Sequence, residues 1–326
     1  MVNECDHAGG KFDKIPMSKT FSRRTNMKRT IALILAVSLL SLSTLAHSDD
    51  SHFEGKQDVT VKVTKVSGNV YMLQGRGGNI GVINGSDGLL MIDDDFKAVS
   101  EKLRDALKGL GSATPKYILN THWHSDHTQG NYFFGKDSVI VAHANVRKRL
   151  LDPPIIFGEK TPAYPLFAVP SITYSETLSL HFDGEEIKVV HYPTGHTDGD
   201  SVVFFKNANV VHLGDDFFVG RFPFVDLDSG GSVAGLINNV ASLIKTIPPD
   251  AKLIPGHGPL ATMDDLKAFH AMLVETSKVV TDAMKAKKTL DDIKKAGFPT
   301  KYKDFGTGFI KTDMWFDILY RSYSQK

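Results

Sequence analysis

The sequence predicts an α/β (α+β) fold of two similar halves, each with a set of strands followed by helices. Short alternating or apolar runs, separated by glycine-rich turns, begin at Val59 and recur from Thr177, as is typical of antiparallel strands. Segments with helical spacing of apolar residues follow each set, at 98–110 and at 232–247. Strands followed by helices indicate sheets that carry helices on their outer faces.

The first half is predicted to begin with a meander of strands from Val59 to Asp93. The glycine-rich turn 75–78 does not precede a helix, so it predicts a hairpin rather than a phosphate-binding loop. Helical character is expected near Asp126. The other predicted elements are a helix, a short buried strand, a second strand and a basic helix, at 98–110, 116–120, 138–142 and 145–151.

Residues 152–174 contain five prolines and four aromatic residues. Few helices or central strands tolerate so many prolines, so this segment is predicted to be a long ordered loop. Two interpretations of its aromatic residues are open. They pack on the body of the protein, or they cover a functional site and select an apolar substrate.

The second half is predicted to contain four strands, a helix, a last inner strand and two C-terminal helices. A long helix is expected from a cap at Thr262 to about Lys287, and Trp315 belongs to the tail helix. His191 and His212 fall inside strands, and His143 directly follows one, so these three are predicted to be structural. The remaining elements are expected at 177–181, 186–191, 201–205, 209–213, 232–247 and 252–254.

The stretch 121–130 reads THWHSDHTQG and concentrates side chains that bind metals or move protons. If the chain is extended up to His124, the period of two places His122 and His124 on one side, where both imidazoles reach one ion. Asp126 and His127 then follow a bend and face a second ion. A lone H-x-H is more often a hydrogen-bonded pair, but four ligand-type residues so close together favour a metal site.

The motif H-x-H-x-D-H is followed by three further motifs. Gly195-His196-Thr197 and Gly214-Asp215 are predicted at strand ends, and Pro255-Gly256-His257-Gly258 follows the last inner strand. Together the four motifs, in this order and spacing, resemble the signature of the metallo-β-lactamase superfamily over nearly the whole chain after residue 58. The resemblance implies a four-layer αβ/βα sandwich, in which helices flank two central sheets.

The resemblance also implies a site for two zinc ions and the residues that bind them. Three histidines would hold the first zinc, three further residues the second, and one carboxylate would bridge them: His122, His124 and His196; Asp126, His127 and His257; and Asp215. Either Asp93 or Asp94 would support a ligand histidine from behind. Asp126 would also be catalytic, because it would orient the nucleophile or move its proton. No organic cofactor is implied.

The implied activity is hydrolysis of an ester, lactone, thioester or β-lactam by a hydroxide shared between the two zinc ions. The first zinc would polarise the carbonyl, and the second would steady the leaving group. One alternative is a dedicated class B-like β-lactamase. Asp215 resembles the bridging aspartate of hydroxyacylglutathione hydrolases and lactonases and argues against it, whereas export argues for it. The other alternative is a mononuclear iron dioxygenase with a similar motif.

The composition fits a soluble globular protein whose partner is a small molecule. The chain of 326 residues is 41% hydrophobic and 23% charged, and its formal net charge of +1 indicates no nucleic acid or other polyanion. Two zinc ions would leave the site with a net positive charge, which favours an anionic substrate. Four aromatic residues after Asp215 predict an apolar wall beside the metals, namely Phe217, Phe218, Phe222 and Phe224. The oligomeric state is not indicated.

Residues 1–46 are predicted to be a targeting segment whose core, Met27 to Ala46, is a signal peptide. The core has a basic start, an apolar run too short for a spanning helix and small residues at its end. Residues 1–26 have two interpretations: an extension from a misplaced start, or part of a twin-arginine signal with Arg23 and Arg24. A periplasmic or secreted protein, exported by the Sec or twin-arginine route without a stable membrane anchor, is therefore expected.

Residues 47–57 are expected to form a flexible mature N-terminus, and residues 58–326 a single hydrolase domain. The only cysteine, Cys5, would be lost with the targeting segment. The mature protein would then have no disulfide and no thiolate zinc ligand. This excludes the β-lactamase subclasses that place a cysteine on the second zinc.

Overall fold

Two β-sheets stacked face to face form the centre of the protein. The computed structural model describes residues 59–156 and 158–324. The predicted targeting segment (1–46) and flexible N-terminus (47–57) lie outside the described residues. Within the described part of the chain, no helix is both long enough and apolar enough to span a membrane.

The strands outside residues 152–174 agree closely with the sequence pattern. The first nine are β1 (Lys62–Ser67), β2 (Val70–Gln74), β3 (Ile80–Gly85), β4 (Gly88–Ile92), β5 (Tyr117–Asn120), β6 (Val139–His143), β7 (Ile155–Ile156), β8 (Glu159–Lys160) and β9 (Ile172–Tyr174). The other five are β10 (Thr177–Phe182), β11 (Glu185–His191), β12 (Ser201–Phe205), β13 (Val210–His212) and β14 (Lys252–Ile254). Strands β1 to β4 form the predicted meander, and the turn 75–78 joins β2 to β3 as a hairpin.

The first sheet has seven strands in the order β1-β2-β3-β4-β5-β6-β9, and the second has five in the order β10 to β14. Each begins antiparallel and ends parallel: β4, β5, β6 and β9 run in one direction, as do β13 and β14. Parallel neighbours need a crossover, and helices supply most of these connections. The helices are α1 (Ser100–Leu110), α2 (Ser125–Thr128), α3 (Asn131–Phe134), α4 (Ala144–Leu151), α5 (Val233–Thr246), α6 (Met263–Lys285), α7 (Leu290–Ala296) and α8 (Thr312–Ser324).

Apolar cores between the layers show how the sheets and helices stack. Alternation along β4 places Leu90 in the core between the sheets and Met91 in the core beneath α1. Along β13, Val210 likewise faces the first sheet, whereas Val211 faces the helices α5, α6 and α8. Each sheet therefore has one face against the other sheet and one against helices. This confirms the predicted α/β (α+β) four-layer αβ/βα sandwich.

The C-terminal helices follow their sequence signals. Thr262 caps α6 through the backbone N–H of Asp265, whose carboxylate in turn accepts from the N–H of Thr262. In α8, the buried Trp315 donates its indole N–H to Thr276 Oγ1 of α6 at 3.1 Å. The tail helix therefore packs on the body, as predicted.

Residues 152–174 are mostly irregular but contain more β-structure than their prolines predict. The short strands β7 and β8 pair as a hairpin, and β9 pairs with β6. A strand at the edge of a sheet pairs on one side only, so Pro170 just before it is tolerated. The buried Tyr164 shares a hydrogen bond with Thr128 Oγ1 at 3.1 Å, so part of this segment packs on the body.

The ends of parallel strands explain why distant sequence motifs meet. The stretch after β5 begins at Thr121, and β4 beside it ends just before Asp93. In the second sheet, the parallel strands β13 and β14 lead to Asp215 and His257. His196 lies in the turn between β11 and β12. Side chains at the carboxyl ends of neighbouring parallel strands project toward one edge, where a rigid scaffold can hold them.

Candidate metal centre

The structure brings all seven predicted metal-binding residues together in two adjacent groups. Within each group, the potential ligand atoms lie within 4.8 Å of one another. All four residues of the first group are buried, and three of them are histidines. In the second group, two of the three residues are partly exposed. The groups are His122, His124, His196 and Asp215, and Asp126, His127 and His257.

Local backbone geometry separates the H-x-H pair from the residues that follow. The backbone at His124 is extended (φ −62°, ψ 150°), and the short helix α2 begins at the next residue. His122 and His124 lie in the first group although residues 121–123 form bends instead of the extended chain expected, and the helical turn directs Asp126 and His127 to the second. The bend predicted from the sequence is therefore present.

Asp215 lies between the two groups, with one carboxylate oxygen toward each. Its Oδ2 is 3.3 Å from His196 Nε2 and 3.8 Å from His122 Nε2. Its Oδ1 is 3.1 Å from His127 Nε2 and 3.4 Å from His257 Nε2. This is the arrangement expected of a carboxylate that bridges two metal ions.

Four of the histidines that could hold a metal are each oriented by a hydrogen bond on the side away from the site. His124 Nε2 is 3.0 Å from Asp226 Oδ2, and His196 Nδ1 is 2.7 Å from the carbonyl oxygen of Phe224. Because those oxygens can only accept, each imidazole donates there and turns the lone pair of its other nitrogen into the site.

Asp93 orients the other two of these histidines. It accepts from His127 Nδ1 at 2.8 Å, and from the hydroxyl and backbone N–H of Thr121, each at 2.7 Å. Because the Thr121 hydroxyl donates its only hydrogen bond to Asp93, its oxygen accepts from His122 Nδ1 at 3.0 Å. Of the two candidates for this supporting role, the structure therefore selects Asp93. Asp94 is also fully buried, and burial with the neighbouring Asp93 charge raises the pKa of Asp94 well above its usual value.

Two glycines allow the backbone to approach the ligands more closely than any other residue could. A Cβ on Gly78 would lie 2.1 Å from His127 Cε1, and one on Gly256 would lie 2.0 Å from Asp215 Oδ1. Any larger side chain at either position would displace a predicted ligand. The glycines of the 75–78 hairpin and of the last motif are therefore part of the site.

The histidines of the two groups differ in protonation. Burial lowers the pKa of His122 well below its usual value and that of His196 to about 4, so both are neutral at neutral pH. Burial also opposes protonation of His257, but the nearby carboxylates of Asp215 and Asp126 outweigh it and raise the pKa of His257 to about 9. The same carboxylates raise the pKa of His127. Without metal, the second group therefore holds protons where a cation would otherwise bind.

The donor set fits divalent metal ions. His122 Nε2 is buried, points toward Asp215 and has no hydrogen-bond partner among the described residues. Such an atom is costly unless a cation or another donor meets it. The seven side chains offer imidazole nitrogen and carboxylate oxygen but no thiolate, a combination that suits Zn²⁺ among other divalent metals.

The predicted apolar wall is only partly beside the site. The Phe218 ring stacks on His257 with centroids 5.2 Å apart, and the Phe224 ring lies 5.5 Å from that of His124. All four pack in or against the core beneath the C-terminal helices, and Phe217 and Phe222 contact aromatic residues of that core instead. All four residues are phenylalanines, so the sequence alone could not tell which of them lie beside the site.

The histidines predicted to be structural have structural contacts. His212 is buried, and its Nε2 lies 3.0 Å from the carbonyl oxygen of Asn79. His191 and His143 stack on each other with ring centroids 3.7 Å apart. Sequence reasoning missed Asp226, because it belongs to no motif and reaches His124 only in the folded protein.

Comparisons with known proteins agree with this geometry. The family described as the metallo-beta-lactamase superfamily matches residues 73–289. A Bacillus subtilis (strain 168) protein named "Probable metallo-hydrolase YqgX" is 28% identical over 192 residues, which cover 55% of this chain and 88% of that protein. A hydroxyacylglutathione hydrolase from Pelagibacter ubique is 26% identical over 145 residues, which cover 44% of this chain and 51% of that protein.

Among solved structures, the sec-alkylsulfatase Pisa1 from Pseudomonas sp. is similar, with a TM-score of 0.64 and 14% identity. The similarity covers 81% of this chain and 50% of that one. The chain thus spans about half the length of the alkylsulfatase and of the hydroxyacylglutathione hydrolase. Identity this low shows a common fold alone, but the family match covers more than half of this chain and includes the residues of both ligand groups. The chain therefore belongs to the metallo-β-lactamase superfamily.

Proposed function

We propose that this protein is an exported di-zinc hydrolase that cleaves a carbonyl substrate, namely an ester, lactone, thioester or β-lactam. The observation that carries the proposal is the position of Asp215, whose two carboxylate oxygens face different ligand groups at 3.1 to 3.8 Å. A single buried carboxylate shared in this way suits two cations held close together. The substrate is a small molecule, and no nucleic-acid partner is proposed.

Two ions bound here would polarise the carbonyl of the substrate and lower the pKa of a water molecule so that it attacks near neutral pH. The residues of the chain orient this chemistry. Asp126 is 24% exposed, and its Oδ2 lies 3.3 Å from His257 Nε2. Burial opposes its ionisation, but the histidines beside it lower the pKa of Asp126 to about 2. The ionised carboxylate can therefore accept a hydrogen bond from the attacking water and orient it, whereas so low a pKa makes it a weak proton acceptor.

Asp215 also bears on the bond that is cleaved. Opening a lactam ring places negative charge on nitrogen, and a carboxylate between the groups opposes that charge. An ester or lactone expels an oxygen that a proton can neutralise, so Asp215 hinders this reaction less. The partial match to a hydroxyacylglutathione hydrolase also supports ester or thioester cleavage. We therefore place a dedicated class B-like β-lactamase second.

A mononuclear iron dioxygenase is the alternative from another class of reaction. It would need one metal, whereas this chain offers a second group in which Asp126, His127 and His257 converge. The second group supports two metals, so this alternative is not favoured.

Metal content tests the proposal directly. We expect two zinc ions per chain in the purified protein, and His196→Ala should lose one of them and lower hydrolysis by at least about 100-fold. His191→Ala is the control, because His191 is half-buried nearby but stacks on His143 instead of facing the site. The measurement is elemental analysis with ester hydrolysis. One iron per chain, or zinc loss in His191→Ala but not in His196→Ala, contradicts the proposal.

Proton release distinguishes the two ligand groups. At pH 7.5, His257, with its pKa of about 9, is protonated in the metal-free protein, whereas His196, with its pKa of about 4, is not. Metal binding to the second group must displace protons, about 1 to 2 per ion. The affinity of this group for metal should therefore fall about tenfold, per proton displaced, for each unit by which the pH is lowered. The first group should release almost none. Calorimetry in buffers of different ionisation enthalpy measures this, and equal release from both groups would be inconsistent with it.

The role of Asp215 predicts a substrate preference. Wild-type protein should hydrolyse activated esters or lactones faster than a chromogenic cephalosporin, and Asp215→Ser should retain zinc less well but shift the ratio toward the cephalosporin. The exposed Asp250→Ser is the control and should change neither property. Steady-state kinetics with zinc analysis provides the test. A tenfold preference of the wild type for the cephalosporin, about 1.4 kcal/mol in barrier, would favour the β-lactamase alternative.

Export rests on the sequence of residues 1–46, which predicts a mature protein that begins near His47 and is periplasmic or secreted. Mass spectrometry of the native protein should detect this N-terminus outside the cytoplasm. An intact Met27 to Ala46 segment would contradict export. Replacing Arg23 and Arg24 with lysine should block a twin-arginine route but not the Sec route.

A further inference from the structure

A cavity of about 480 Å³ lies beside the first ligand group. Its walls come from the β7–β8 hairpin, from residues 224–228 and from the exposed side of α8. The volume is within the range of about 300 to 1,000 Å³ that is common for small-molecule sites.

The cavity shares residues with the support of the metal centre. Asp226, in its wall, lies 3.0 Å from His124 Nε2. The Phe224 ring packs 5.5 Å from that of His124, and its carbonyl oxygen accepts from His196. Asp226 and the Phe224 carbonyl contact the histidines on the side away from the site, but the Phe224 ring lies beside both of them, 5.5 Å from the ring of His124 and 6.0 Å from that of His196. A group bound against the Phe224 ring would therefore adjoin the first ligand group. Under the proposed function this is the side of the polarised carbonyl, away from the leaving group.

The cavity wall is largely apolar. Phe224, Val225, Leu227 and Ile318 contribute to it, and Ile155 stands at its rim on the hairpin. The Ile155 side chain is 57% exposed, so its apolar surface is available to a group bound in the cavity. An apolar group in the cavity would remove this surface from water.

The charged residues of the cavity disfavour a second anion. Its lining includes the carboxylates of Asp226, Asp228 and Asp317 and one cation, Arg321. Both terminal nitrogens of Arg321 already bind Asp228, one of them at 3.0 Å. Because the Arg321 guanidinium is already paired with a carboxylate, it attracts an anionic ligand only weakly.

We propose that this cavity binds the acyl arm of the substrate and selects an uncharged, apolar arm over one that ends in a carboxylate. The inference rests on the proposed hydrolase function, since it assigns a substrate class to the same site. Any anionic group of the substrate would then bind at the metals and not at the end of the acyl arm.

A series of p-nitrophenyl esters tests the length and the charge of the arm. From acetate through butyrate to hexanoate, kcat/KM should rise by up to about fourfold per added methylene until the cavity is filled. The hemisuccinate ester, which matches butyrate in length but ends in a carboxylate, should be at least about tenfold slower than butyrate.

Two substitutions connect these preferences to the cavity. Ile155→Asp should lower the hexanoate to acetate ratio of kcat/KM by about fivefold. Leu166→Asp is the matched control, because Leu166 is 75% exposed and does not line the cavity, and it should leave the ratio unchanged. Asp228→Asn releases Arg321 and should raise the hemisuccinate to butyrate ratio by about fivefold.

The outcomes separate the cavity from the hydrolase function. If the zinc-loaded protein hydrolyses acetate but shows neither preference, the inference about the cavity is wrong and the proposed function stands. If no ester, lactone or thioester is hydrolysed, the proposed function fails. The cavity is then tested by calorimetry with 2-octanone, an uncharged ketone that cannot be hydrolysed. Binding that Ile155→Asp weakens and Leu166→Asp does not would support the cavity, whereas equal or absent binding would overturn it.

Discussion

The candidate metal centre depends on one buried carboxylate, that of Asp93, which directly follows β4. It holds His127 directly and His122 through the hydroxyl of Thr121, so it orients one histidine in each ligand group. Asp93 adopts a φ of +60°, a conformation that is uncommon for residues other than glycine. The hydrogen bonds to the Asp93 carboxylate offset the free-energy cost of burying its charge. Removing one of these partners would leave the buried charge unpaired and destabilise the site.

The arrangement of the sheets brings the other ligands to this point. Both sheets change from antiparallel to parallel pairing, and the loops after β5, β13 and β14 open on the same edge. Small residues then let the loops approach one another, as Gly78 does at His127 and Gly256 does at Asp215. The ligands therefore stand on rigid strand ends, which limits their movement when metal is absent.

The surroundings give the two groups different properties. The first is buried and neutral, and the second is balanced by carboxylates and partly open to solvent through Asp126 and His257. The open group suits exchange of protons and water, while the closed group adjoins the apolar cavity. The proposed preference for an uncharged acyl arm follows from the apolar and acidic lining of that cavity.

The sequence by itself determined most of the strands and helices and the seven metal-binding candidates, because each depends on local periodicity or on a short motif; it missed β7 to β9 and α7. For the same reason it could not choose between Asp93 and Asp94, which are adjacent and chemically identical. The choice required β4 to pair with β5, so that the Asp93 carboxylate meets Thr121 and the His127 ring, whereas Asp94 meets His127 only through its backbone N–H.

Only the tertiary structure decided the contacts between residues far apart in the chain. Asp226 lies about a hundred residues after His124 and bonds to it, and Phe224 packs at the site although Phe222 enters the core. The cavity joins a hairpin, a loop and the last helix, none of which has a motif. Such features depend on how layers pack, and packing is set by the whole fold rather than by neighbouring residues.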